Sequence, residues 1–162
     1  MGRIVIRKKL AVLVSMLIVS FSIVAFSYAG EPIKPNARDK CPVCGMFVSR
    51  YTNWIAEITF KDGTYAVFDG PKDMLKYFFN VSKYSKDKTS KDISEIFVTE
   101  FYSAKMMRAG ELFFITGSDV LGPMGHELIP VKGGQEAKTF MHDHKGKKIF
   151  KFEEITAGDL PH

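Results

Sequence analysis

An uncharged apolar run from Leu10 to Phe26 sits directly behind Arg3, Arg7, Lys8 and Lys9. This arrangement decides where the rest of the chain folds and how much of it is left to fold. A basic n-region, an apolar h-region and small residues before a cleavage point make up an export signal. Ser27-Tyr28-Ala29 supplies the small residues, so residues 1–29 are expected to form a signal peptide cleaved after Ala29. The alternative is an uncleaved anchor, although the run is near the short end of what spans a bilayer. On either reading the remainder is periplasmic or otherwise extracytoplasmic, and it associates with a membrane only if the segment is retained. The full chain carries 23 basic and 18 acidic residues, a formal +5. Without the four basic residues of the signal it is nearly neutral, and no cationic stripe is left to bind nucleic acid. Lys83 to Lys91 mixes lysine with Ser, Asp and Thr and reads as a solvated loop.

What remains is long enough to bury a core without staples. Residues 30–40 are polar, contain Pro32 and Pro35, and read as a linker. Trp54, Ala56, Ile58 and Phe60 alternate as in a half-buried strand. Asp62-Gly63 marks a hairpin, and Thr64 to Phe68 is the expected return strand. Asp69-Gly70-Pro71 then opens a helix on which Met74, Leu75, Phe78 and Phe79 recur at helical spacing. Further strands are predicted over 95–101, 112–116, 128–131 and 148–152, with a second helix over 135–142. The order ββαβ thus occurs twice, at 54–101 and more loosely at 111–152, with Ile96-Phe97 echoed by Ile149-Phe150. The expected class is α+β: two loosely repeated ββαβ units, rich in antiparallel sheet, with helices packed against it.

Cys41 and Cys44 are the only cysteines. Exported proteins usually spend cysteines on disulfides that close long loops, but a bridge this short removes little unfolded-state entropy. Chemistry is the better use of the pair. Three readings of Cys41-Pro42-Val43-Cys44-Gly45-Met46 compete. A redox pair needs a helix N-terminus beneath its cysteines, whereas the residues downstream alternate like a strand. A zinc knuckle has this turn shape, but structural zinc takes four ligands and no second cysteine pair exists. His142 and His144, at i and i+2, point to different sides of a helix. A soft Cu(I) site would combine thiolate with the Met46 thioether.

Met124 sharpens the third reading, because Gly122-Pro123-Met124-Gly125 is a turn with no core for a methionine to fill. Met74, on a helix face, reads as core, and Met106 and Met107 read as packing. Four blocks in order resemble the NosL family of nitrous oxide reductase accessory proteins. They are the Cys41–Met46 turn followed by Trp54-Ile55-Ala56-Glu57-Ile58, then Phe68-Asp69-Gly70-Pro71-Lys72-Asp73-Met74, then 117–130, then 136–146. The resemblance spans residues 41–156, leaving 157–162 as a tail. It implies an exported, non-enzymatic Cu(I)-binding accessory protein that delivers copper for assembly of the copper centres of nitrous oxide reductase, or of another copper client. By position the implied ligands are Cys44, Met46 and Met124, with His144 and Cys41 beside them. The family's His-Gly-Gly is His144-Lys145-Gly146 here, and no lipoprotein cysteine precedes Cys41.

Two other classes stay in view. A structural zinc module would mediate contacts and fold poorly without its metal. An enzyme resembling organomercurial lyase would need a reactive cysteine and a nearby acid, and no acid stands out beside the turn in the sequence.

Overall fold

Two stretches of the chain fold the same way. The computed structural model describes residues 30–161, so the expected signal segment lies outside the described residues. In the first stretch, β1 (Ala56–Phe60) and β2 (Tyr65–Phe68) form an antiparallel hairpin, α1 (Pro71–Phe78) and the short α2 (Val81–Tyr84) follow, and β3 (Ile93–Thr99) returns beside β1. In the second, β5 (Phe113–Thr116), β8 (Ile129–Val131), α3 (Gly134–Asp143) and β9 (Lys148–Lys151) repeat that course. The first strand is central each time, giving the orders β2-β1-β3 and β8-β5-β9, with β4 (Met106–Arg108) added at the edge of the first sheet. Ile58 pairs with Ile96 and Glu57 with Phe97, while Ile115 pairs with Ile149 and Phe114 with Phe150. The echo read in the sequence is therefore a shared sheet register. The α+β class and its repeat are observed.

Burial explains why the copies differ in sequence pattern. Ala56, Ile58 and Phe60 of β1 face a core completed by Met74 and Leu75 of α1. Phe114 joins that same core, whereas its neighbour Ile115 packs with Ala137 and Phe140 of α3 in a second one. A strand buried on both faces loses the polar half of its alternation, so 112–115 reads as a continuous apolar run.

Several elements differ from expectation. The hairpin β6 (Leu121–Gly122) and β7 (Gly125–His126) and the strand β4 are too short to carry a period. Two contacts tie the largely exposed segment 31–40 to the strands: the Ile33 N–H donates to Glu57 Oε2 at 2.8 Å, and Lys40 bridges to Phe47. Among the described residues no helix is long and apolar enough to cross a membrane.

Candidate metal centre

The cysteines sit on a closed turn. The Gly45 N–H donates to the Cys41 carbonyl (2.8 Å) and the Cys41 N–H to the Met46 carbonyl (2.9 Å), with the Lys40–Phe47 bridge behind them. Gly45 has φ +81, a left-handed conformation that costs other residues about 1–2 kcal/mol. This turn packs against the start of α1. Gly70 is the N-cap, Pro71 fits the first helical position, and Asp69 and Asp73 flank the entrance.

Both thiols meet those carboxylates. Cys41 Sγ donates to Asp73 Oδ2 at 3.5 Å and Cys44 Sγ to Asp69 Oδ1 at 3.2 Å. One ligand atom from each of Cys41, Cys44, Asp69 and Asp73 lies within 4.8 Å of all the others. Three of the four are buried and Cys44 is half-buried, which leaves it as the accessible edge. Burial pushes the Cys44 thiol up to about 11, and pushes the deeper Cys41 thiol above the ordinary thiol range. Without a cation, then, both thiols hold their protons. Asp69 Oδ2 is buried with no hydrogen-bond partner. An unpaired buried carboxylate oxygen is costly, and a cation between the four groups would satisfy it.

Nothing in the sequence around Phe68-Asp69-Gly70-Pro71-Lys72-Asp73 marks the two carboxylates as partners of the cysteines. Acids around a Gly-Pro helix start read as ordinary turn and capping chemistry. Only the packing of the cysteine turn against that start gives them another role.

Of the residues expected at the site, Cys41 and Cys44 come together. Met46 is half-buried at the end of their turn. Met124 stands exposed at the tip of the β6–β7 hairpin, and its carbonyl accepts a hydrogen bond from Lys72 Nζ at 2.8 Å. That bond ties the hairpin to the helix bearing Asp73. His144 is held elsewhere, stacked on Phe140 at 4.4 Å with Nδ1 3.3 Å from Asp119 Oδ1. Among the described residues no histidine belongs to the four-residue cluster.

The NosL family pattern matches residues 32–160 of the chain, nearly all of what the structure describes. The chain belongs to the NosL family. The fold agrees: the crystal structure of the copper chaperone NosL from Shewanella denitrificans superposes with a TM-score of 0.65 at 19% identity, covering 79% of this chain and 97% of that one. No curated protein matches the sequence. In this NosL protein the matched region begins at residue 32, within the segment 30–40.

Proposed function

We propose that this NosL protein is an exported, non-enzymatic copper chaperone that holds one Cu(I) at the Cys41–Cys44 turn and passes it to a client protein, with nitrous oxide reductase as the expected client. The observation that carries this reading is the convergence of two thiols and two carboxylates around a buried oxygen that lacks a partner. Thiolate sulfur selects Cu(I) over hard ions, and the thioethers of Met46 and Met124 extend the same soft set. The family match and the fold shared with a copper chaperone support it. His144, whose Nδ1 faces Asp119, stands outside the four-residue cluster, so the sulfur residues are its centre.

Copper capture would begin at half-buried Cys44 and finish at Cys41, which is 1% exposed. Each thiol gives up its proton as its sulfur binds, and Asp69 and Asp73 already stand at the acceptor positions. Release would start at the same accessible edge, with a client ligand replacing Cys44 first and the buried Cys41 last.

The carboxylates also favour a second reading, because two thiolates and two carboxylates form a four-coordinate set suited to Zn²⁺. Anaerobic titration of reduced protein with Cu(I) and with Zn(II), followed by X-ray absorption, separates the two. One Cu(I) with a sulfur-rich shell, lost on Cys44→Ser and weakened by Met46→Leu, is the expected result. Tighter zinc than copper, or a copper shell without sulfur, would overturn the proposal. Transfer of copper to metal-free nitrous oxide reductase tests the client. Asp69 is the nearby acid that the organomercury alternative lacked, but raised thiol pKa values oppose nucleophilic attack. Release of hydrocarbon from an organomercurial would reinstate that alternative.

A further inference from the structure

Glu127 is one of the deepest carboxyl groups in the domain, 2% exposed, and it lies outside the copper cluster. Its Oε2 accepts the Lys72 N–H at 2.8 Å and the Leu128 N–H at 3.2 Å. Two glycines make room for it. A Cβ on Gly70 would come 2.8 Å from Glu127 Oε1, and a Cβ on Gly122 only 2.4 Å from Glu127 Cγ. Gly70 begins α1 and Gly122 belongs to β6, so the side chain fills the seam between the helix start and the β6–β7 hairpin. Lys72 closes the seam from the helix side twice, with its backbone N–H on Glu127 and its Nζ on the Met124 carbonyl. Without this seam, a hairpin of two-residue strands has little to fix its position.

We propose that Glu127 is the positioning residue of the site: by locking the hairpin onto the N-terminus of α1 it holds Met124 where its thioether joins the sulfur ligands of the Cys41–Cys44 turn. This rests on the copper reading above. Glu127 touches no metal. It acts through Met124, as outer residues that orient a ligand commonly do.

The test compares Glu127→Ala, Glu127→Gln, Met124→Leu and the double variant Glu127→Ala/Met124→Leu as reduced protein. Cu(I) affinity is measured by competition with a chromophoric Cu(I) chelator, and the number of sulfur neighbours by copper X-ray absorption. Glu127→Ala and Met124→Leu should each weaken Cu(I) on the order of tenfold and each remove one sulfur from the shell. The double variant should be no weaker than either single one. Glu127→Gln should keep the parent's affinity and sulfur count, because its amide carbonyl still accepts the Lys72 N–H. If Glu127→Ala does not fold, Lys72→Leu takes its place, since it keeps the backbone donor, drops the Nζ contact to Met124, and should lose the same sulfur. A folded Glu127→Ala with the parent's affinity and full sulfur count, beside a weakened Met124→Leu, overturns the proposal and leaves the copper reading intact. An unchanged Met124→Leu in a protein that binds Cu(I) overturns it as well. Failure of the parent itself to bind Cu(I) is the separate result that removes the reading beneath it.

Discussion

The two oxygens of Asp69 have different fates. Oδ1 accepts the Cys44 thiol proton while Oδ2 is buried without a partner. Replacing Asp69 by Asn keeps the volume and removes the hard anionic donor. Zinc, which accepts carboxylate oxygen readily, should then lose affinity on the order of tenfold, or about 1.4 kcal/mol. Cu(I) should lose much less, because sulfur carries its binding. Parallel titrations of the Asn variant with both ions check this, and an equal loss for both would make Asp69 a direct copper ligand. Proton accounting gives a second outcome at the same site. With the Cys44 thiol near 11 and Cys41 also raised, each sulfur bound at neutral pH releases a proton. Apparent copper affinity should therefore rise with pH, by up to roughly a hundredfold per unit for two thiols. Competition titrations at pH 6, 7 and 8 measure the slope.

Turns and helix starts, more than strands, set the site at the scale of elements, and two glycines show it by different physics. Gly45 needs its positive φ, yet a Cβ there would meet nothing within 4 Å. Gly70 has an extended backbone that any residue adopts, but its Cβ would strike Glu127. Gly45→Ala should thus cost roughly 1–2 kcal/mol as backbone strain. Gly70→Ala should cost about 1–3 kcal/mol as overpacking. Urea melts of the two variants give both values, and parental stability of Gly70→Ala would show that the seam around Glu127 yields freely. Some of this was readable in advance. Asp62-Gly63 announced the β1–β2 hairpin, and Gly63 indeed takes φ +82. The Gly-Pro-Met-Gly hairpin could be read only as a turn, since strands of two residues have no alternation to detect.

Across the whole molecule, two buried carboxyls impose a pH dependence. Burial pushes Glu57 up to about 7 and Glu127 up to about 8, both from an ordinary 4.5. Between those values the folded chain keeps protons that the unfolded chain has released, so stability falls as pH rises from about 5 to 8. Surface carboxylates held low, such as Asp92 and Asp159 through their Thr89 and Thr156 hydroxyls, act in the opposite sense and lose their contribution at lower pH. Metal-free protein should melt highest near about pH 5. Glu57→Gln, which keeps an acceptor for the Ile33 N–H, should flatten the fall toward pH 8. Thermal melts from pH 4 to 9 test both statements. The metal-free domain should also unfold cooperatively, because its core is complete among the described residues. Copper should raise its melting temperature only by mass action. An unfolded metal-free chain rescued by zinc would show that the metal is structural.

The sequence by itself determined what local periodicity and backbone chemistry can express. Alternation drew β1, 3.6-residue spacing drew α1, Asp-Gly and Gly-Pro placed turns, and the Cys-x-x-Cys-Gly-Met turn marked where soft-metal chemistry would sit. The repeat was visible too, because the same register puts the same residue types at the same places in both sheets. Only the tertiary structure decided which residues separated in sequence share that turn's surroundings. Asp73 lies 32 positions from Cys41, and Glu127 lies 55 from Lys72; nothing in local pattern encodes a contact across such a span. Those pairings follow from how α1 crosses its sheet and where the hairpin lands. That is a matter of packing two cores together, and it turned two ordinary capping acids into half of the candidate metal centre.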